Sequence, residues 1–147
     1  MDATAGKPLA IIVDLDETLC TQFDVPVAAG LAVLRRIDQH KIRVHYVTAR
    51  TEQCRPATDV FVDVNGLPGR HNIHYCPISL TSLEHKRSQH QWLSQEFQVI
   101  ASIGDSFEEQ QASLATGILF VPVDPCEPAH GWAVLAGRIA ELGGFRP

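Results

Sequence analysis

Two carboxylates one residue apart, Asp14 and Asp16, close the apolar run Ala10-Ile11-Ile12-Val13. A run rich in β-branched residues reads as a buried strand. The C-terminal tips of parallel strands are where ligands meet an open α/β sheet. Two negative charges held together at such a tip are costly unless a cation or a shared proton relieves them. The motif Asp14-Leu15-Asp16-Glu17-Thr18 therefore points to cation-assisted or acid–base chemistry rather than to a solvated turn.

Other strand tips carry matching groups. Ile42 to Val47 reads as a strand that ends in Thr48-Ala49-Arg50-Thr51. Gln98 to Ile103 reads as another, ending in Gly104-Asp105-Ser106. Lys86 falls early in a helix expected over Ser82 to Phe97, with Trp92, Leu93 and Phe97 facing inward. A doubly wound sheet brings these tips to one edge, so three carboxylates, one hydroxyl and one ammonium converge. Oxygen donors suit a hard cation, with Mg²⁺ the expected one. A cation, an ammonium and a hydroxyl together meet the needs of a phosphoryl group, whose oxygens must be neutralised during transfer.

The elements that must position these groups alternate along the chain. Helices are expected over Val27 to His40, Ala57 to Val64, Ser82 to Phe97, Phe107 to Thr116 and Trp132 to Leu142. Strands are expected over Ala10 to Val13, Ile42 to Val47, Asn72 to Tyr75, Gln98 to Ile103 and Gly117 to Val123. This alternation calls for α/β architecture: a three-layer, Rossmann-like fold with a central parallel sheet of about five strands and helices on both faces. The 147 residues suit one domain spanning 1–147.

Composition excludes several classes. No apolar run approaches the ~20 residues of a membrane span. Residues 1–8 hold no apolar signal-peptide core. A cytoplasmic, intracellular protein with no membrane partner is the expectation. Cys20, Cys54, Cys76 and Cys126 are far apart, without a Cys-x-x-Cys, so free thiols are expected. A net charge of −5 argues against a general nucleic-acid coat protein. Oligomeric state is not readable from the sequence.

In order and spacing the chain resembles the haloacid dehalogenase-like (HAD) phosphohydrolase superfamily. The resemblance covers nearly the whole length. It rests on Asp14-Leu-Asp-Glu-Thr18, Val47-Thr48-Ala-Arg50, Lys86, and Ile103-Gly104-Asp105-Ser-Phe-Glu-Glu109. The resemblance implies a phosphatase with Asp14 as nucleophile and Asp16 as general acid, then base. It implies phosphate contacts from Thr18, Thr48, Ala49, Arg50 and Lys86. It further implies Mg²⁺ held by Asp14, the Asp16 carbonyl, Asp105 and an acidic residue at Glu109 or Glu108.

About thirty residues separate Asp16 from Thr48, too few for an inserted cap domain, since an independently folding unit needs roughly 40. An open, capless site is expected, with a flap from Cys20 to Pro26. If Arg50, Arg55, Arg70, Lys86 and Arg87 share its rim, the mouth is basic and attracts phosphate-rich substrates. The stretch from Thr48 through Pro68 also resembles, more thinly, the phosphatase domains of polynucleotide kinase/phosphatase enzymes, which implies a nucleotide or nucleic-acid end as the phosphorylated substrate. The competing class is a phospho-acceptor or scaffold module of low turnover. Receiver domains use similar groups, but their Thr and Lys both come late in the chain. Here Thr48 and Lys86 precede Asp105.

Overall fold

A computed structural model of the protein describes residues 6–147, so most of the stretch without a signal-peptide core lies outside it. Strands β1 (Leu9–Val13), β4 (Ile42–Val47), β5 (Ile73–His74), β6 (Gln98–Gly104) and β7 (Phe120–Pro122) form a parallel sheet in the order β5-β4-β1-β6-β7. Strands β2 (Cys20–Thr21) and β3 (Val25–Pro26) form a separate antiparallel hairpin directly after the Asp14–Thr18 motif. The expected α/β sheet of five strands is the one observed.

Helices α1 (Ala28–Arg36), α2 (Arg55–Val64) and α5 (Pro128–Glu141) supply Leu31, Leu34, Phe61, Val62, Trp132 and Leu135 to one core, against Ile11, Val13 and Tyr46. Helices α3 (Ser82–Glu96) and α4 (Phe107–Thr116) cover the other face, where Ile12, Val47, Leu93 and Ile118 pack together. Ile11 and Ile12 point to opposite cores, as the two-residue period of a strand requires. A strand covered on both sides must be apolar throughout, which is why β1 reads as an unbroken hydrophobic run.

Local chemistry fixes where α3 and α4 begin. Thr81 accepts from the Glu84 N–H, and Glu84 accepts from the Thr81 N–H, a reciprocal cap at the start of α3. Ser106 caps α4 by accepting from Glu109 N–H. Some boundaries differ from expectation. Helix α1 stops at Arg36 because Ile37 turns to an extended conformation and bridges Phe145. Helix α5 starts at Pro128, a ring pre-set for the first turn, rather than at Trp132. Gly117 adopts φ 71° as the left-handed end of α4, so β7 starts only at Phe120.

One inward-facing assignment fails. Trp92 is 46% exposed, while His90 and Leu93 are enclosed. The Trp92 ring lies 6.0 Å, centroid to centroid, from the His74 ring, at the edge of a histidine cluster. In that cluster His45 Nδ1 lies 3.0 Å from His74 Nε2, and its ring packs on Phe97. Burial, then the neighbouring His74 and Arg43, push the His45 imidazole down to about 4 from 6.5. The unfolded chain therefore binds more protons between pH 6.5 and 4, and His45 costs stability as pH falls through that window. The cost reaches at most about 3 kcal/mol. We expect wild type to lose stability relative to His45→Leu as pH falls from 6.5 to 4, read by urea midpoints of both proteins at each pH. A constant difference across that range would contradict the assignment.

Among the described residues no helix is long and apolar enough to cross a membrane. All four cysteines are free. Burial, partly offset by Arg50, pushes the Cys20 thiol up to about 12, so it is no thiolate nucleophile.

Candidate active site

Register brings the acidic tips together. Val13 pairs with Ile103 across β1 and β6, and Asp14 N–H donates to the Ile103 carbonyl at 3.0 Å. The next residues out of the two strands are Asp14 and, one place beyond Gly104, Asp105. A Cβ on Gly104 would come within 2.6 Å of Glu109 Cγ and 3.4 Å of Asp14 Cβ, so only glycine lets these elements approach so closely. On the other side of β1, Val13 pairs with Tyr46 of β4, which places Thr48 to Arg50 beside the motif. This edge is also where the strand order reverses, the expected place for a ligand.

A cavity of about 230 Å³ sits there, lined by Asp14, Asp16, Glu17, Ala49, Ser82, Lys86, Asp105, Ser106 and Glu108. Larger clefts lie elsewhere, but none of them gathers more than one carboxylate. Ser82 and Lys86 are one turn apart on α3, and Ser106 caps α4. The N-terminal ends of both helices thus reach the cavity, where their unpaired N–H groups favour an anion.

The loop after Asp14 is tightly held. The Leu15 carbonyl accepts from Thr18, Leu19 and Cys20 N–H groups at 3.2, 2.8 and 3.1 Å. Glu17 takes φ 60°, a left-handed conformation unusual outside glycine. The enclosed Trp132 indole donates to the Thr18 carbonyl at 3.0 Å. Among the described residues, the buried Thr18 hydroxyl has no partner in hydrogen-bond geometry.

The charges are unevenly matched. Lys86 is 2% exposed and lies 2.7 Å from Glu109 Oε2 and 3.1 Å from Asp14 Oδ1. Burial pulls the Lys86 ammonium down, but Glu109 and Asp14 outweigh it and hold the group above its usual range. Burial likewise raises Glu109, and His90 with Lys86 more than reverse it. Asp14 is left as the weaker partner. Burial raises its carboxyl to about 7, against the lowering effect of Lys86 and with a further push from Glu109. Asp105 is also raised, first by burial. The one buried ammonium in the cavity is thus shared with Glu109, and Asp14 lacks a full counter-charge.

Several expected site residues are placed differently. Glu109 and Glu108 are the two residues expected as the further metal support, and the first has another place. Its carboxylate is instead fully enclosed, with one oxygen on Lys86 and the other accepting from Ser102 at 2.9 Å; Glu108 faces the cavity. Thr48 does not line the cavity: it is fully buried, and its hydroxyl accepts from Arg50 N–H at 3.0 Å. Ala49 does line it. Arg50 grips Asp16 with two nitrogens, at 2.8 and 3.1 Å, and also binds Asp24 of the flap at 2.6 Å. Of the five basic residues expected at the rim, Lys86 lines the cavity and Arg50 sits beside it on Asp16. Arg55 pairs with Glu52 and stacks on Tyr75, Arg70 pairs with Asp63, and Arg87 lies in a cleft with Lys7 and Gln91.

Sequence reasoning missed Ser82, Ser106, Ser102, His90 and Asp24. Two of them, Ser82 and His90, had a signal. Ser82, Lys86 and His90 are spaced i, i+4, i+8, so they share one face of the helix.

No protein-family profile matches the chain, and no curated protein does. Solved structures with the same fold include a chain of the Pnkp1/Rnl/Hen1 RNA repair complex, at 16% identity and TM-score 0.66. That match covers 84% of this chain and 44% of the other, so this chain spans less than half of it. A hypothetical protein from Xanthomonas campestris matches at 19% identity and TM-score 0.57, over 97% of this chain and 86% of that one. The class C acid phosphatase from Bacillus anthracis matches at 14% identity and TM-score 0.55, over 95% and 79%. At these identities the likeness is one of fold.

Proposed function

We infer that the protein is a Mg²⁺-dependent phosphomonoester hydrolase that works through an aspartyl-phosphate on Asp14. The observation that carries this reading is the meeting of Asp14, Asp16, Lys86 and Asp105 on one small cavity into which two helix N-termini open.

The residues fit a hard cation. Among the described residues no three His, Cys, Asp or Glu side chains form a ready-made metal cage. Two carboxylates, Asp14 and Asp105, together with the Asp16 carbonyl, nonetheless make an all-oxygen set of the kind Mg²⁺ takes while keeping several waters. The under-compensated Asp14 supplies the electrostatic reason for a cation there. When bound, Mg²⁺ neutralises the phosphate oxygens and holds Asp14 ionised. Glu109 is not in this set; it belongs to Lys86.

The chain's own groups divide the remaining work. The helix N-termini at Ser82 and Ser106 and the Ala49 segment bind the phosphate oxygens. Lys86 removes the repulsion between the Asp14 carboxylate and the incoming anion. An Asp14 oxygen attacks phosphorus, the ester oxygen leaves, and Asp16 gives that oxygen a proton. Asp16 then takes a proton from the water that attacks phosphorus and frees Asp14. For this Asp16 has to turn from Arg50 toward the cavity it already lines. The open edge and the fold shared with a chain of an RNA repair complex favour a nucleotide or nucleic-acid end as substrate.

One observation favours a second reading. Arg50 holds Asp16 and the flap residue Asp24 together, an arrangement that keeps the acid–base group away from the ester. If that clamp persists with substrate, the protein is phosphorylated on Asp14 and turns over slowly, as a phospho-acceptor module.

A panel of phosphorylated metabolites and 5′- and 3′-phosphorylated DNA and RNA ends separates these readings. Sustained hydrolysis of at least one ester is expected with Mg²⁺, with loss of activity in EDTA and recovery on adding Mg²⁺ back. Undiminished activity in EDTA would remove the metal. A single burst of one phosphate per chain would support the acceptor reading.

A further inference from the structure

His90 lies on α3 one turn beyond Lys86 and is fully enclosed. Its Nδ1 is 2.7 Å from the Lys86 carbonyl oxygen. A carbonyl only accepts, so Nδ1 carries a proton. Its Nε2 is 3.3 Å from Ser102 Oγ and 3.4 Å from Glu109 Oε1. The Ser102 hydroxyl donates to that same Glu109 oxygen, so Ser102 turns a lone pair toward the ring. A bare Nε2 would face two acceptors; a protonated one satisfies both. With Nδ1 on a carbonyl and the nearer Ser102 hydroxyl contact going to Glu109, the geometry favours protons on both ring nitrogens, an imidazolium.

The groups around the ring come from four elements: the Lys86 carbonyl from α3, Ser102 from β6, Glu109 from α4 and, through the Lys86 ammonium, Asp14 from β1. Buried charges then alternate in a line: His90 positive, Glu109 negative, Lys86 positive, Asp14 negative. Such a line gives Glu109 a second cation and leaves more of the Lys86 charge to Asp14. It also fixes the rotation of Glu109, because one oxygen is held by His90 and Ser102 and the other by Lys86. The Lys86 ammonium has three donors. One goes to Glu109 and one to Asp14, which leaves the third for an anion in the cavity.

We propose that His90 is a positioning residue, an enclosed imidazolium that fixes Glu109 and so aims the Lys86 ammonium at Asp14 and the transferred phosphoryl group. Its catalytic meaning rests on the phosphatase reading; its protonation and contacts do not.

Two variants divide the ring. The amide nitrogen of His90→Gln reaches where Nε2 sits and keeps a donor on Glu109. That of His90→Asn reaches where Nδ1 sits and keeps only the Lys86 carbonyl. With an aryl phosphate and Mg²⁺, His90→Asn should lower kcat by roughly tenfold or more with KM nearly unchanged, and His90→Gln should recover most of it. A folded His90→Asn with wild-type kcat would overturn the proposal, as would equal loss in both folded variants. Nitrogen-15 NMR of the wild-type histidine rings needs no turnover and no variant. Both His90 nitrogens should be protonated at pH 7. A bare Nε2 would overturn the proposal even in an active enzyme. Lack of hydrolysis by wild type, with both nitrogens protonated, would sink the phosphatase reading and leave the charge line standing.

Discussion

Asp14→Asn is expected to abolish hydrolysis, by on the order of 10⁴-fold or more, because it removes the attacking oxygen's charge. The same change should stabilise the metal-free protein above neutral pH. Burial first, then Glu109, raise the Asp14 carboxyl from 3.8 to about 7 despite Lys86. A carboxyl raised on folding contributes stability that is fully present below pH 3.8 and lost as pH rises through about 7. Asparagine carries no proton to lose. In chelator at pH 8, Asp14→Asn should therefore melt several degrees above wild type, and the gap should close toward pH 4. Added Mg²⁺ should raise wild type more than the variant, because ligand binding stabilises only the state that binds it. A variant that hydrolyses esters normally would remove Asp14 from the nucleophile's role. A variant less stable than wild type at pH 8 without metal would contradict the charge imbalance described for the cavity.

Lys86→Met is expected to be the most destabilising single change in the site. It leaves Asp14 and Glu109 enclosed with the ammonium gone, and breaking a buried pair from one side costs roughly 3–5 kcal/mol. His90 still faces Glu109, so the loss should be greater for Asp14 than for Glu109. The double variant Lys86→Met/Asp14→Asn should recover much of the stability without restoring activity, since Asp14 no longer carries an uncompensated charge. Urea unfolding of the two variants measures this. If the double variant is no more stable than Lys86→Met, an uncompensated Asp14 is not what destabilises the single variant.

These expectations show which parts of the fold and the candidate site are legible in the chain itself. β4 runs over the expected Ile42–Val47 and α4 over the expected Phe107–Thr116. Both are bounded by strong local signals, an apolar run in one and a Ser cap with a closing Gly in the other. α1 and α5 were misplaced at their ends because those ends depend on contacts distant in sequence, such as Ile37 on Phe145. Within the site, Asp14, Asp16, Lys86 and Asp105 converge because each follows a strand or opens a helix at one sheet edge, a consequence of topology that alternation reveals. Glu109 was harder to place. Its neighbour Glu108 has the same charge, and the choice between cavity and interior follows from the rotation of α4, which one residue changes by about 100°. Arg50 gave no hint that it would bind Asp16 and Asp24, because the flap that carries Asp24 has no periodic pattern. His90 was hidden for a different reason: an isolated histidine in a polar helix reads as solvated until Glu109 and Ser102 are placed around it.

The most direct test of the central claim is to trap the phosphoryl group on its residue. The protein is mixed with a turning-over ester and Mg²⁺, quenched in acid and reduced with borohydride, and its peptides are mapped by mass spectrometry. Borohydride converts an acyl phosphate to the alcohol, so the account predicts homoserine at position 14, formed only when Mg²⁺ and ester are both present. Continued hydrolysis with Asp14 intact, or reduction at another carboxylate, would contradict it.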